Sequence, residues 1–308
     1  GREGRGPMKL CIAFVVLALM AGGASAADFV DDSARRHAFE KPPQRVVTLA
    51  PSLTELLYAA GAGERLVATV LGSDHPAAAR AVPTVGDYQR VDVERLLLLK
   101  PDVVLVWTSG NSQRELAQLQ SVGIAVVHLE PRRLPDVPRA IERLGDLFGT
   151  AAVAKANAQA LREELQSMAK AYAGKPPVKV FYQVWSRPLL TLNDEHLISD
   201  VIRLCGGHNV FGALRTLVPE VSIESVLAAQ PEAIIGARTP STGDAATMRR
   251  DADAAAFTAW RPLRKSLPAA ARGWFFTLPG DEISRQGPRV GTGARALCEA
   301  LEVVRNER

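Results

Sequence analysis

Short apolar runs alternate with amphipathic stretches along most of the chain. Residues 46–49, 66–70, 103–107, 124–127, 178–184, 233–235 and 275–278 are brief, rich in Val, Ile and Leu, and read as buried strands. Between them, residues 52–60, 93–99, 112–121, 197–204, 224–229 and 289–304 carry helical spacing. Ser52 with Glu55 three residues later has the form of a capping box, and Gly61 and Gly63 stop that helix. Strands and helices alternating in units this short predict an α/β fold with mostly parallel sheets.

The rhythm is interrupted once. From Asp136 to Tyr172 the pattern is helical throughout, broken only at Gly149-Thr150 and ended by Gly174-Lys175-Pro176-Pro177. The α/β alternation then restarts. A phrase with the same spacing occurs on both sides. Glu94-x-x-Leu97-x-x-x-Pro101-Asp102 leads into Val103, Val104 and Leu105; Glu224-x-x-Leu227-x-x-x-Pro231-Glu232 leads into Ala233, Ile234 and Ile235. Asp92 and Ser222 stand two residues before the glutamates and are suited to cap the two helices. The repeat predicts two similar lobes with a crevice between strand ends, where small molecules bind. The expected organisation is a leader and signal peptide (1–26), a flexible lead-in (27–44), an N-terminal lobe (45–135), a helical linker (136–177) and a C-terminal lobe (178–308).

The N-terminus adds a location. Met8-Lys9-Leu10 is followed by an apolar run from Ile12 to Met20 and by Ala24-Ser25-Ala26, the layout of a cleaved secretory signal. The run is too short to span a bilayer, and Cys11 lies away from the cleavage site. Residues 1–7 precede Met8 and read as a scar or an over-called start. The chain has a net charge of +4, of which Arg2, Arg5 and Lys9 against Glu3 leave with the leader. No basic stripe remains, which argues against nucleic acid. Cys205 and Cys298 stay behind; an even count in an oxidising compartment reads as one disulfide, the alternative being two buried thiols.

Three phrases carry a resemblance: Val47-Thr48-Leu49-Ala50-Pro51-Ser52-Leu53-Thr54-Glu55, Leu99-Lys100-Pro101-Asp102 and Leu204-Cys205-Gly206-Gly207-His208-Asn209. They resemble the solute-binding proteins of ABC importers for cobalamin, haem and iron-siderophores, with similarity from about Arg45 to Leu301. Within that group the chain is most similar to the periplasmic vitamin B12-binding branch. Trp107-Thr108-Ser109-Gly110-Asn111 resembles that branch's Trp-x-x-Gly-Asn turn, and Asp281-x-x-x-Arg285 with Pro288-Arg289 resembles its late ligand-contacting segment. The resemblance implies two α/β lobes on one long interdomain helix, little closure on binding, and a Cys205–Cys298 disulfide. It implies a periplasmic receptor, expected as a monomer, that holds cobalamin as cargo, needs no cofactor or metal, and docks on an inner-membrane ABC permease through Glu94 and Glu224.

Cobalamin is large and mostly uncharged, so its site needs apolar and aromatic walls with a few fixed polar groups. The candidates are Ala50, Pro51, His75, Tyr88, Trp107, Trp185, Asp281 and Arg285. Tyr88 stands where the branch more often has Trp, His75 where it has Tyr, and Leu217-Val218 where a Trp is common. His75 and Tyr88 also suit iron, which makes haem the chief alternative ligand. A siderophore would call for clustered basic residues. His37, His75, His128, His196 and His208 are too dispersed for a zinc set. No Gly-x-Ser-x-Gly, His-Glu-x-x-His or phosphate loop is present, so an enzyme is not expected; a secreted hydrolase using Asp74-His75 is the least favoured alternative.

Overall fold

A computed structural model describes residues 27–87, 89–238, 248–250 and 255–308. The signal segment, Cys11 and Tyr88 lie outside the described residues.

The chain opens with an antiparallel hairpin, β1 (Ala27–Val30) and β2 (Arg36–Phe39). This corrects the expectation of a flexible lead-in. The segment is polar, but its polar groups have partners. Asp31 is 4% exposed and accepts from the backbone N–H groups of Ser33, Arg35 and His128, with His37 Nε2 at 2.9 Å. Burial alone would raise its carboxyl; these bonds outweigh burial and hold the pKa at about 2. Phe29 is buried beneath Arg143, whose guanidinium lies 5.0 Å from the ring centroid.

The N-terminal lobe follows: β3 (Val46–Thr48), α1 (Pro51–Ala59), β4 (Leu66–Ala68), α2 (Val93–Leu98), β5 (Val103–Trp107), α3 (Gln113–Ser121) and β6 (Ala125–Leu129). Its sheet has the order β4-β3-β5-β6, all parallel. Two helices come next, α4 (Asp136–Phe148) and α5 (Ala151–Tyr172), separated by Gly149 at φ 66°. The C-terminal lobe contains β7 (Val178–Gln183), β8 (Trp185–Ser186), β9 (Leu189–Leu190), α6 (Leu197–Leu204), β10 (Gly207–Asn209), α7 (Ile223–Ala229), β11 (Ala233–Arg238), β12 (Arg249–Arg250), α8 (Pro268–Arg272), β13 (Phe275–Pro279), α9 (Gly280–Ser284) and α10 (Val290–Asn306). Its main sheet has the order β10-β7-β11-β13-β12, with only β12 antiparallel.

Period-2 alternation divides the core. Val103 and Leu105 face a shared interior, whereas Val104 and Val106 face a second cluster under α2 and α3. In the other lobe Val180 and Tyr182 face the shared interior and Phe181 an outer cluster with Trp260 and Phe275. Helix α5 joins the halves. Its 22 residues extend about 33 Å at ~1.5 Å per residue. Ala154, Ala158, Leu161, Leu165 and Met168 form its buried stripe. It packs on α1 in one lobe and on α6 and α10 in the other. Its crossing with α4 is close because position 145 has no side chain: a Cβ on Gly145 would sit 2.2 Å from that of Ala154. The Cys205–Cys298 disulfide ties the end of α6 to α10 within this interior.

Candidate functional site

The carboxyl ends of β3 and β5 point toward the C-terminal lobe, and a recess opens there. Its volume is about 180 Å³, and Ala50, Pro51, Ser52 and Trp107 face Ser284, Arg285 and Gln286 across it. Four of the candidates, Ala50, Pro51, Trp107 and Arg285, are thus brought together. Asp281 joins through its 3.0 Å ion pair with Arg285 one helical turn on. His75 is exposed on the neighbouring loop, outside the lining of this recess. Trp185 is 62% exposed and donates its indole N–H to the Arg187 carbonyl; it does not line this recess either.

Local chemistry explains how Trp107 is held. Asn111 is 6% exposed, accepts from the Trp107 backbone N–H at 2.7 Å and donates to the Leu49 carbonyl at 2.8 Å. One amide therefore joins the ends of two strands. The indole lies over Gly110, where a Cβ would come within 1.9 Å of ring carbon Cε3. We expect Gly110→Ala to displace the ring, which can rotate away, rather than unfold the lobe. Its near-UV circular dichroism should change with Tm nearly kept, and ligand affinity should fall at least tenfold. An unaltered aromatic spectrum would show that the ring does not depend on this glycine.

The start of α1 is held from beneath by hydroxyls. Thr48, Thr54 and Thr69 bond one another at 2.7–2.9 Å, and Thr69 donates to Ser73 at 2.8 Å. All are buried, so every hydroxyl has to find a partner. They fix α1 and the 71–76 loop to the strands.

The expected capping box does not form. Ala50 is the N-cap of α1, Pro51 its first residue, and no side chain caps it. Glu55 instead turns inward, is 2% exposed, and meets two arginines of the other lobe. Arg289 grips it with two bonds of 2.9 and 2.7 Å, and Arg285 Nη1 donates to it at 3.0 Å. Arg285 also donates to Asp74 at 3.1 Å and to the Gly72 carbonyl at 3.0 Å. Glu282 takes the remaining arm of Arg289 at 2.7 Å. Burial raises Asp281's carboxyl, Asp74 and Glu282 add to this, and Arg285 and Arg289 oppose it. Burial also pushes Asp74 upward, but Arg285 outweighs it and holds that carboxyl below its ordinary value. Sequence reasoning assigned Glu55, Asp74 and Glu282 no part in this site. A glutamate in a first turn followed by an apolar face gives the same signal whether it caps or crosses a cleft.

Asp92 and Ser222 do cap α2 and α7, accepting from Arg95 N at 2.9 Å and Ser225 N at 3.1 Å. Glu94 and Glu224 are exposed on the first turns of those helices. Among the described residues no three His, Cys, Asp or Glu side chains converge to hold a metal ion, and no helix is long and apolar enough to cross a membrane.

The profile of a family described as periplasmic binding protein matches residues 46–282. The chain is 33% identical over 266 residues to the vitamin B12-binding protein of Vibrio cholerae serotype O1, covering 86% of this chain and 92% of that protein. It is 34% identical over 258 residues to the vitamin B12-binding protein of Yersinia pestis, covering 84% and 86%. The crystal structure of the periplasmic vitamin B12-binding protein of Vibrio cholerae superposes with a TM-score of 0.74 at 32% identity, over 85% of this chain and 98% of that one. The haem-binding protein of Roseiflexus shares the fold with a TM-score of 0.72 at 20% identity, over 85% and 99%.

Proposed function

This chain belongs to the periplasmic binding protein family, a family of solute receptors and not of enzymes, and within it we propose that the chain captures cobalamin or a related corrinoid. It then delivers the ligand to an inner-membrane ABC permease. The observation that carries the reading is the recess where Ala50, Pro51 and Trp107 face Arg285 across two lobes. Its apolar wall with an aromatic and a few polar groups suits one edge of a large, mostly uncharged ring system, the rest of which would lie outside a recess of about 180 Å³. The relatives that support it are named for vitamin B12 and align along nearly their whole length. Haem fits less well: His75 lies outside the recess lining, and the haem-binding neighbours share the fold at lower identity. Export by the segment ending at Ala26 places the receptor in the periplasm. Glu94 and Glu224, one exposed carboxylate on each lobe, are the docking points for the permease, which the paired lobes meet as a two-fold partner. Helix α5 and the cross-lobe ion pairs favour small closure over a wide hinge.

Calorimetric titration of the purified protein with cyanocobalamin and, separately, haemin tests the ligand. Saturable 1:1 heat is expected from cyanocobalamin, with Trp107→Ala weakening it about thirtyfold or more, the size of an aromatic hot spot. A haemin Soret shift with no heat from cyanocobalamin would overturn the assignment.

A further inference from the structure

We infer that Glu55 is a positioning residue of the binding cleft: from the N-terminal lobe it sets where Arg285 of the C-terminal lobe presents its guanidinium. The inference rests on the reading of this cleft as the corrinoid site. Arg285 is bonded on four sides. Nη1 donates to Glu55 Oε1 at 3.0 Å and Asp74 Oδ1 at 3.1 Å; Nη2 donates to the Gly72 carbonyl at 3.0 Å and pairs with Asp281 Oδ2 at 3.0 Å. Three of these four partners belong to the opposite lobe. The backbone of Arg285 therefore comes from one lobe and its aim from the other.

The three partners differ in permanence. Asp74's side chain is 50% exposed, so water competes for it. Glu55's side chain is 1% exposed and is held in turn by the two-bond grip of Arg289. A planar fork on a carboxylate fixes direction as well as distance. The loop closes tightly around it: a Cβ on Gly287 would lie 3.4 Å from Glu55 Oε2. A ligand acceptor that meets Arg285, such as a peripheral amide carbonyl, would displace Asp74 before Glu55. Arg289 and Glu55 form the fixed mount, and Arg285 is the donor it carries.

A double-mutant cycle on the full chain separates positioning from bulk stability. Cyanocobalamin affinity should fall at least tenfold in Glu55→Gln and at least tenfold in Arg285→Met. The double variant should be within twofold of Arg285→Met alone, because the first residue acts through the second. Equal losses from Glu55→Gln in both backgrounds, or a loss below twofold in the parent, would overturn the inference. Glu55→Asp, which keeps the charge and withdraws it by one methylene, runs the same cycle if the glutamine variant does not fold. A ligand-free readout stands beside it. In arginine side-chain ¹⁵N NMR, the Arg285 Nε–H signal, assigned by its absence in Arg285→Met, should be ordered in the parent and mobile in the Glu55 variant. If it stays ordered, positioning fails whatever the ligand. If it becomes mobile while the parent takes up no cyanocobalamin, positioning stands and the cobalamin reading falls.

Discussion

Replacing Cys205 and Cys298 together by alanine lowers the free energy of unfolding by about 4 kcal/mol. The two cysteines are 93 residues apart and bonded. Closing a loop of roughly that length restricts the unfolded chain by ~4–5 kcal/mol in the chain-entropy model. Both are essentially inaccessible to solvent, at 0% and 1% exposure, so a reductant has to wait for the region to open. Alanine is the right replacement, since serine would add buried hydroxyls at a further cost. Guanidinium melts of the two proteins, with the parent repeated under reductant after unfolding, should show equal losses in the double variant and the reduced parent. Cyanocobalamin affinity measured well below the melting transition should stay the same, because neither cysteine lines the recess. A loss under about 1 kcal/mol would mean that the bond does not restrict the unfolded chain.

The elements of this fold were legible because its main strands are short and apolar and most are divided from the next by a helix with its own spacing. Residues 197–204 read as a helix and form one with the same limits, since Leu197, Val201 and Ile202 give a clean buried face. The repeat around Glu94 and Glu224 was legible down to its caps, because capping is a local bond between residues three apart. The hairpin at 27–39 was not. Its stability comes from Asp31 reaching His128, a partner 97 positions away, and from Phe29 under Arg143. No local pattern records such partners.

The site divides in the same way. Trp107 and Asn111 belong to one turn, and their spacing already carried the geometry that Asn111's two bonds now explain. The Glu55 network joins residues more than two hundred positions apart in the chain. In sequence, Glu55 looked like half of a capping box, and that local explanation was sufficient on its own. What overrode it was burial: a carboxylate at 2% exposure needs cationic partners, and only the opposite lobe supplies them. Arg285 was identified as a ligand contact from the resemblance, yet most of its hydrogen bonds serve the lobe interface. In the proposed corrinoid site the two roles would meet at one guanidinium, tying the polar anchor to the spacing of the lobes.

Reversing both Glu94 and Glu224 to arginine should abolish transporter-dependent cobalamin uptake while leaving cobalamin binding by the isolated protein unchanged. Both side chains are exposed and each sits in the first turn of a short capped helix. That turn favours a negative charge, which by itself would account for a glutamate at either place. The docking role makes a stronger demand, that both carboxylates act together on a single partner. At Glu224 a backbone N–H and the Ser222 hydroxyl hold the carboxyl below its ordinary value, a local effect that does not by itself bear on a partner. Docking through both lobes predicts that single reversals weaken uptake partly and the double reversal weakens it a hundredfold or more, since attraction becomes repulsion at both ends. Helix-end decoration predicts small, independent losses of stability and normal uptake. Uptake assays in a strain that depends on this receptor, run beside titrations of the same variants, separate the two. Normal uptake by the double reversal would remove the docking assignment, and loss of binding alongside loss of uptake would place the fault in the fold of the lobes.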